Sequence, residues 1–165
     1  MMAKAERLAQ ASELLYLEAH YLDQKEWSNW VDLYSPDAVF WMPSWVNESQ
    51  TTTEPETELN LLYLNGRTHL EDRVYRLQTE DSFASVPSAR TVHVVSNIRV
   101  IDFDDQHTSL KATWMVHSYG LHGPLTRGGY YDYQLKVLDG ALKIAYKKVT
   151  LIDDKLIGPV DIFHV

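Results

Sequence analysis

Between Val92 and Ile152 apolar residues return at every second position, and this period restricts the possible folds more than any other feature of the chain. Val92, Val94, Ile98 and Val100 alternate with His93, Asn97 and Arg99. Leu110, Ala112, Trp114 and Val116 alternate with Lys111, Thr113, Met115 and His117. Tyr131, Tyr133, Leu135 and Val137 repeat the pattern, and a further strand runs from Leu142 to Ile152. Such segments put alternate side chains on opposite faces of a sheet. Asp139-Gly140 is a tight-turn signal, because the turn needs positive φ angles that glycine supplies cheaply. Strands joined by short turns pair antiparallel.

The first part of the chain has a different period. From Ala5 to Gln24, Leu8, Leu15 and Leu22 recur every seven residues, and Ala11, Leu14 and Ala19 widen the stripe. Trp27, Trp30, Val31 and Tyr34 make a second, shorter helical pattern that Pro36 ends. Ala38 to Met42 reads as extended, Asn47 to Glu58 as a polar loop, and Leu59 to Leu64 as either strand or helix. Thr68 and Glu71 have capping-box spacing ahead of a stripe of Leu70, Val74 and Leu77. Asp81 to Ser88 should break that helix. Gly128-Gly129 reads as a bend or bulge. Helices first and an antiparallel meander after predict an α+β fold, with a curved sheet closing around the N-terminal helices in one domain over residues 1–165.

Composition removes several classes. The net charge of −8, without any basic block, argues against nucleic acid. No run approaches the ~18 apolar residues of a membrane span, so no membrane role is expected. With no cysteine, the chain forms no disulfide and holds neither a Cys-rich zinc site nor a Rieske cluster, and a cytoplasmic setting is expected.

The residues leave the chemistry open. His117, His122 and Asp132 are the best candidates for a mononuclear iron site, yet no helical His pair supports them. Tyr16, Asp32, Tyr34, His93 and Asp132 are candidates for an acid–base cavity, the self-sufficient dehydratase or isomerase reading of such a fold. Arg73 and Arg76 share a helix side, and Arg90 opens a strand. They read equally as solvated charges or, at Arg76 or Arg90, as a guanidinium that pairs bidentately with carboxylates of this chain or a partner.

A resemblance separates these readings. The Trp27–Tyr34 helix, Trp41-Met42-Pro43, the run LEDRVYRL from Leu70 to Leu77, Pro87 with Arg90-Thr91-Val92-His93, and the ending KKVTLIDDKLIGPVDIFHV occur in order along nearly the whole chain. Their spacing resembles the small (beta) subunits of aromatic-ring-hydroxylating dioxygenases of the benzoate and anthranilate type. Ser82-Phe83-Ala84-Ser85 departs from the Trp-Ala-Glu run of many members, which narrows the likeness to benzoate-like relatives and leaves halobenzoates, toluates and salicylates open as substrates. The resemblance implies a cystatin-like cone of the nuclear transport factor 2 type. It implies no catalytic, cofactor or metal residue in this chain. A large alpha subunit would carry a Rieske [2Fe-2S] cluster and mononuclear Fe(II) in a hexamer of three large and three small chains. A separate reductase would use NADH. The candidate interface residues are Arg73, Arg76, Arg90, His93, Trp41 and Trp45, because interfaces favour arginine and aromatics.

Overall fold

The computed structural model describes residues 2–79 and 88–165. The expected break from Asp81 to Ser88, the Ser82–Ser85 run and Pro87 lie outside the described residues, Ser88 excepted.

Helix α1 (Lys4–Gln24) is followed by α2 (Trp27–Asp32), β1 (Tyr34–Pro43), β2 (Asn60–Asn65), α3 (Arg67–Gln78) and four long strands. These are β3 (Arg90–Phe103), β4 (His107–Gly120), β5 (Gly123–Leu138) and β6 (Ala141–Leu151). The six strands form a curved sheet in the order β2-β1-β6-β5-β4-β3. Every pairing is antiparallel except β1 with β6. The α+β expectation holds. Leu59 to Leu64 resolves as strand, because β2 completes the edge beside β1. Asp139 and Gly140 take positive φ, 51° and 80°, in the turn from β5 to β6.

Helix α1 lies in the hollow of the sheet, mainly along β3. Its buried side is Arg7, Ala11, Leu14, Leu15, Glu18 and Leu22. The helical period is as predicted, but Arg7 and Glu18 occupy places that sequence alone would assign to Leu8 and Ala19, both only half-buried. The C-terminal segment returns to the core as well: Ile162, Phe163 and Val165 are buried.

Two local expectations change. The box predicted at Thr68 and Glu71 does not form: Gly66, with φ 99°, is the N-cap of α3, and no side chain caps it. Glu71 instead pairs with Arg67, 3.1 Å away on the same helix. A capping box forms at the other end of the chain, where Asp161 accepts from Ile162 N–H (2.7 Å) and the Asp161 N–H donates to His164 Nδ1 (3.0 Å). Gly128-Gly129 makes no register break: β5 runs through it, paired to both neighbours. Gly129 is required by close approach, since a Cβ there would stand 1.8 Å from the Thr150 carbonyl oxygen.

Candidate functional site

The alternation of β3 changes sides part-way. Thr91, His93 and Val95 face inward, and so do Ile98 and Val100. The parity switches at a bulge between Ser96 and Arg99, where Asn97 takes φ 53°. One extra residue reverses the faces of everything beyond it. Val92 and Val94, which the simple two-residue reading groups with Ile98 and Val100, therefore point outward.

On that outer surface Val94 has an apolar neighbour and Val92 an imidazole. Val94 pairs with Met115, and Met115 with Gly128; Val92 pairs with His117. Val92, Val94, Met115, Tyr119 and Tyr130 are all more than half exposed, between 52% and 59%. Gly128 offers no side chain, so the flank of Met115 stays open. Charge is confined to the margins, with Arg90 over the Tyr119 ring (5.4 Å) at one end and the Lys111–Asp132 pair (2.8 Å) at the other. An apolar centre with a charged rim is the anatomy of an association surface.

The residues singled out from sequence are dispersed. Arg90 borders this face. Arg73 is engaged within the chain: Nε and Nη2 each donate over 2.8 Å to the fully buried Asp161, tying α3 to the C-terminal segment. That is the bidentate geometry expected of Arg76 or Arg90. Arg76 is exposed on α3 and has no ion pair among the described residues. Trp41 is buried, donating to Asn60 (2.5 Å) under Lys148, and Trp45 donates to the Leu151 carbonyl (2.8 Å). His93 is interior: its side chain is 2% exposed, so it has no surface to offer a partner. Residue type pointed to arginine and tryptophan. The bare aliphatic surface depends on a bulge whose signal in the sequence is one asparagine.

Inside, polar groups are tied together in two sets, one around Glu18 and one around Asp23. Glu18, on α1, accepts from Tyr34, from Tyr133 (2.5 Å) and from Lys147 (2.9 Å). All four are buried, and the Lys147 ammonium also lies 4.4 Å from the Tyr131 ring centre. Burial, then the Glu18 charge, push the Tyr34 and Tyr133 hydroxyls well above the ordinary phenol range. Burial pulls Lys147 down against the opposing pull of Glu18. Asp23 binds the His93 ring (2.5 Å), the His93 N–H and the Thr91 hydroxyl. Burial would raise the Asp23 carboxyl, but the His93 bonds outweigh it and hold it below the usual range. The supposed acid–base set does not converge. Tyr16 is half-exposed, Asp32 pairs with Arg67 at the surface and Asp132 with Lys111 on the outer face. His117, outside on β4, bonds Thr126, and His122 lies in the β4–β5 turn. No cluster of three or more potential metal ligands occurs among the described residues.

The family model for the ring hydroxylating beta subunit matches residues 17–157. The chain belongs to this family. It is 37% identical to the benzoate 1,2-dioxygenase subunit beta of Acinetobacter baylyi over 96% of this chain and 94% of that protein. The toluate 1,2-dioxygenase subunit beta of Pseudomonas putida is 36% identical, over 93% and 94%. The crystal structure of the beta subunit of the benzoate 1,2-dioxygenase from Burkholderia mallei superposes with a TM-score of 0.78 at 34% identity, covering 100% of this chain and 99% of that one. This beta subunit is thus the small component of a multi-subunit oxygenase with a large alpha partner, and the cofactors of such oxygenases lie in the alpha chain. No helix among its described residues is long and apolar enough to cross a membrane.

One interior group of the beta subunit makes a pH prediction. Burial first, and then the Arg127 guanidinium, lower the His164 imidazole from 6.5 to about 4. Between those values the unfolded chain binds a proton that the folded chain refuses. Stability from this group is present above pH 6.5 and is lost as pH falls toward 4, by at most about 3 kcal/mol. His164→Asn keeps an acceptor for the Asp161 N–H and removes the proton site. Denaturant unfolding at pH 7 and pH 4.5 should show a smaller acid loss in the variant, by about 2 kcal/mol. Equal losses in both proteins would assign the acid sensitivity elsewhere.

Proposed function

We propose that this chain is the non-catalytic small subunit of the terminal oxygenase of a Rieske non-haem iron dioxygenase acting on an aromatic carboxylate, and that the outer face of β3, β4 and β5 holds the large subunits in register. The observation that carries the contact role is the apolar field of Val92, Val94, Met115, Tyr119 and Tyr130, whose charges stand only at its rim. Family membership supplies the partner, and the mutual satisfaction of the interior acids and bases around Glu18 supports a structural role.

In this reading the chain folds as one domain, 1–165, and assembles in the cytoplasm as three small with three large chains. The large subunit carries the [2Fe-2S] cluster and the Fe(II), and a separate reductase delivers electrons from NADH. The relatives act on benzoate and toluate by name, and the same class of acid is proposed here.

Co-expression with the neighbouring reading frame that contains a C-x-H and C-x-x-H pair tests this. The expected result is a complex that survives size exclusion, with equal chain numbers by native mass spectrometry and iron confined to the larger chain. A beta subunit that stays alone and turns over a substrate by itself would reverse the assignment.

A further inference from the structure

Where α1 leaves the sheet uncovered, a cavity of about 460 Å³ opens at the β4–β5 end of the fold. Its walls are largely apolar: Ala89, Leu121, Pro124 and Leu125 on one side, Ile157 and Pro159 on the other. Three basic side chains, Arg127, His164 and, in the β4–β5 turn, His122, also line it.

Arg127 is unusual for a buried cation. It stands on the inward row of β5 with Tyr131 and Tyr133, and the residue is 4% exposed. Nη2 donates to the carbonyls of Ile157 (2.9 Å) and Pro159 (3.3 Å). Nε and Nη1 make no hydrogen bond among the described residues, and no carboxylate there lies within ion-pairing distance. The contrast with Arg73, whose fork is filled by Asp161, is direct. A guanidinium has five N–H donors, and Arg127, which lines the cavity, has donors left for an anion there. Burial lowers its pKa, and the Asp153 charge opposes that. His164 adds no competing charge, being neutral above pH 5.

We propose that this cavity binds a small organic monocarboxylate, with the carboxylate on the free edge of the Arg127 guanidinium and an apolar body against Leu125 and Ile157. A carboxylate matches the planar fork, and the volume suits one small molecule. The depth of Arg127 favours a free acid over a carboxylate tethered to another chain. The site is separate from the outer face, so it stands or falls independently of the subunit role.

Isothermal titration of the full chain at pH 7.5 with benzoate, hexanoate and the neutral isostere benzamide tests it. Both acids should bind, and benzamide at least tenfold more weakly than benzoate. Arg127→Gln should weaken benzoate at least tenfold. Leu125→Trp, which fills the cavity and leaves the guanidinium in place, should abolish binding with the melting temperature within a few degrees of wild type. If Arg127→Gln does not fold, Leu125→Trp decides. Absence of binding by both acids, equal binding of benzoate and benzamide, or benzoate binding untouched by Leu125→Trp would overturn the proposal. Loss of benzoate binding on assembly with the large subunit would identify a carboxylate of the partner as the occupant and would equally overturn it.

Discussion

Glu18→Ala is expected to destabilise the fold by about 3–5 kcal/mol, the usual cost of removing one partner from a buried ion pair. The substitution leaves the Lys147 ammonium 1% exposed with no anion, and takes the acceptor from Tyr34 and Tyr133. For a domain of ordinary stability, about 5–15 kcal/mol, that is about a fifth of the total or more. The double variant Glu18→Gln with Lys147→Met should recover most of the loss. The methionine fills the lysine's volume without a charge, and the glutamine accepts from one tyrosine and donates to the other. Equilibrium urea unfolding of the two variants beside wild type measures both values. A single variant within 1 kcal/mol of wild type, or a double variant no better than the single, would show that the cluster is not held together by its charges.

The second expectation concerns the outer face. Met115→Asp and Val94→Asp should each weaken association with the large subunit by about 100-fold or more, because a carboxylate would have to be desolvated at the centre of the contact. Neither should move the unfolding midpoint appreciably, since both positions are more than half exposed in the isolated subunit and surface changes cost within about 0.5 kcal/mol. Arg76→Ala on α3, away from this face, serves as the comparison and should assemble normally. Surface plasmon resonance against immobilised large subunit reads all three. If the two aspartate variants bind like wild type while Arg76→Ala does not, the contact surface belongs on the helix side instead.

These expectations rest on features that differ in how openly the chain declares them. The period of two after Arg90 and the period of 3.6 before Gln24 fix which segments are strand and which are helix, because side-chain direction follows backbone geometry alone. Asp139-Gly140 declares its turn for the same reason. The family likeness also lies in the linear order of motifs, and the match over residues 17–157 agrees with it. Long-range partnership is not written this way. Arg73 and Arg76 are equivalent on paper, and only the return of the C-terminal segment gives Arg73 its Asp161, 88 positions later.

The chain by itself thus determined most element types, the α+β class and the family, since these depend on local periodicity and on the sequence of motifs; pairing within the sheet decided Leu59 to Leu64. The tertiary structure decided which face of β3 is bare, that Arg73 finds a buried carboxylate in Asp161, and that Glu18 lies inside rather than in solvent. One bulge at Asn97 reverses a whole face, and a buried charge is tolerable only where distant strands bring Lys147, Tyr34 and Tyr133 to meet it. Neither condition can be read from neighbours in sequence, because both are properties of side chains brought together across the sheet.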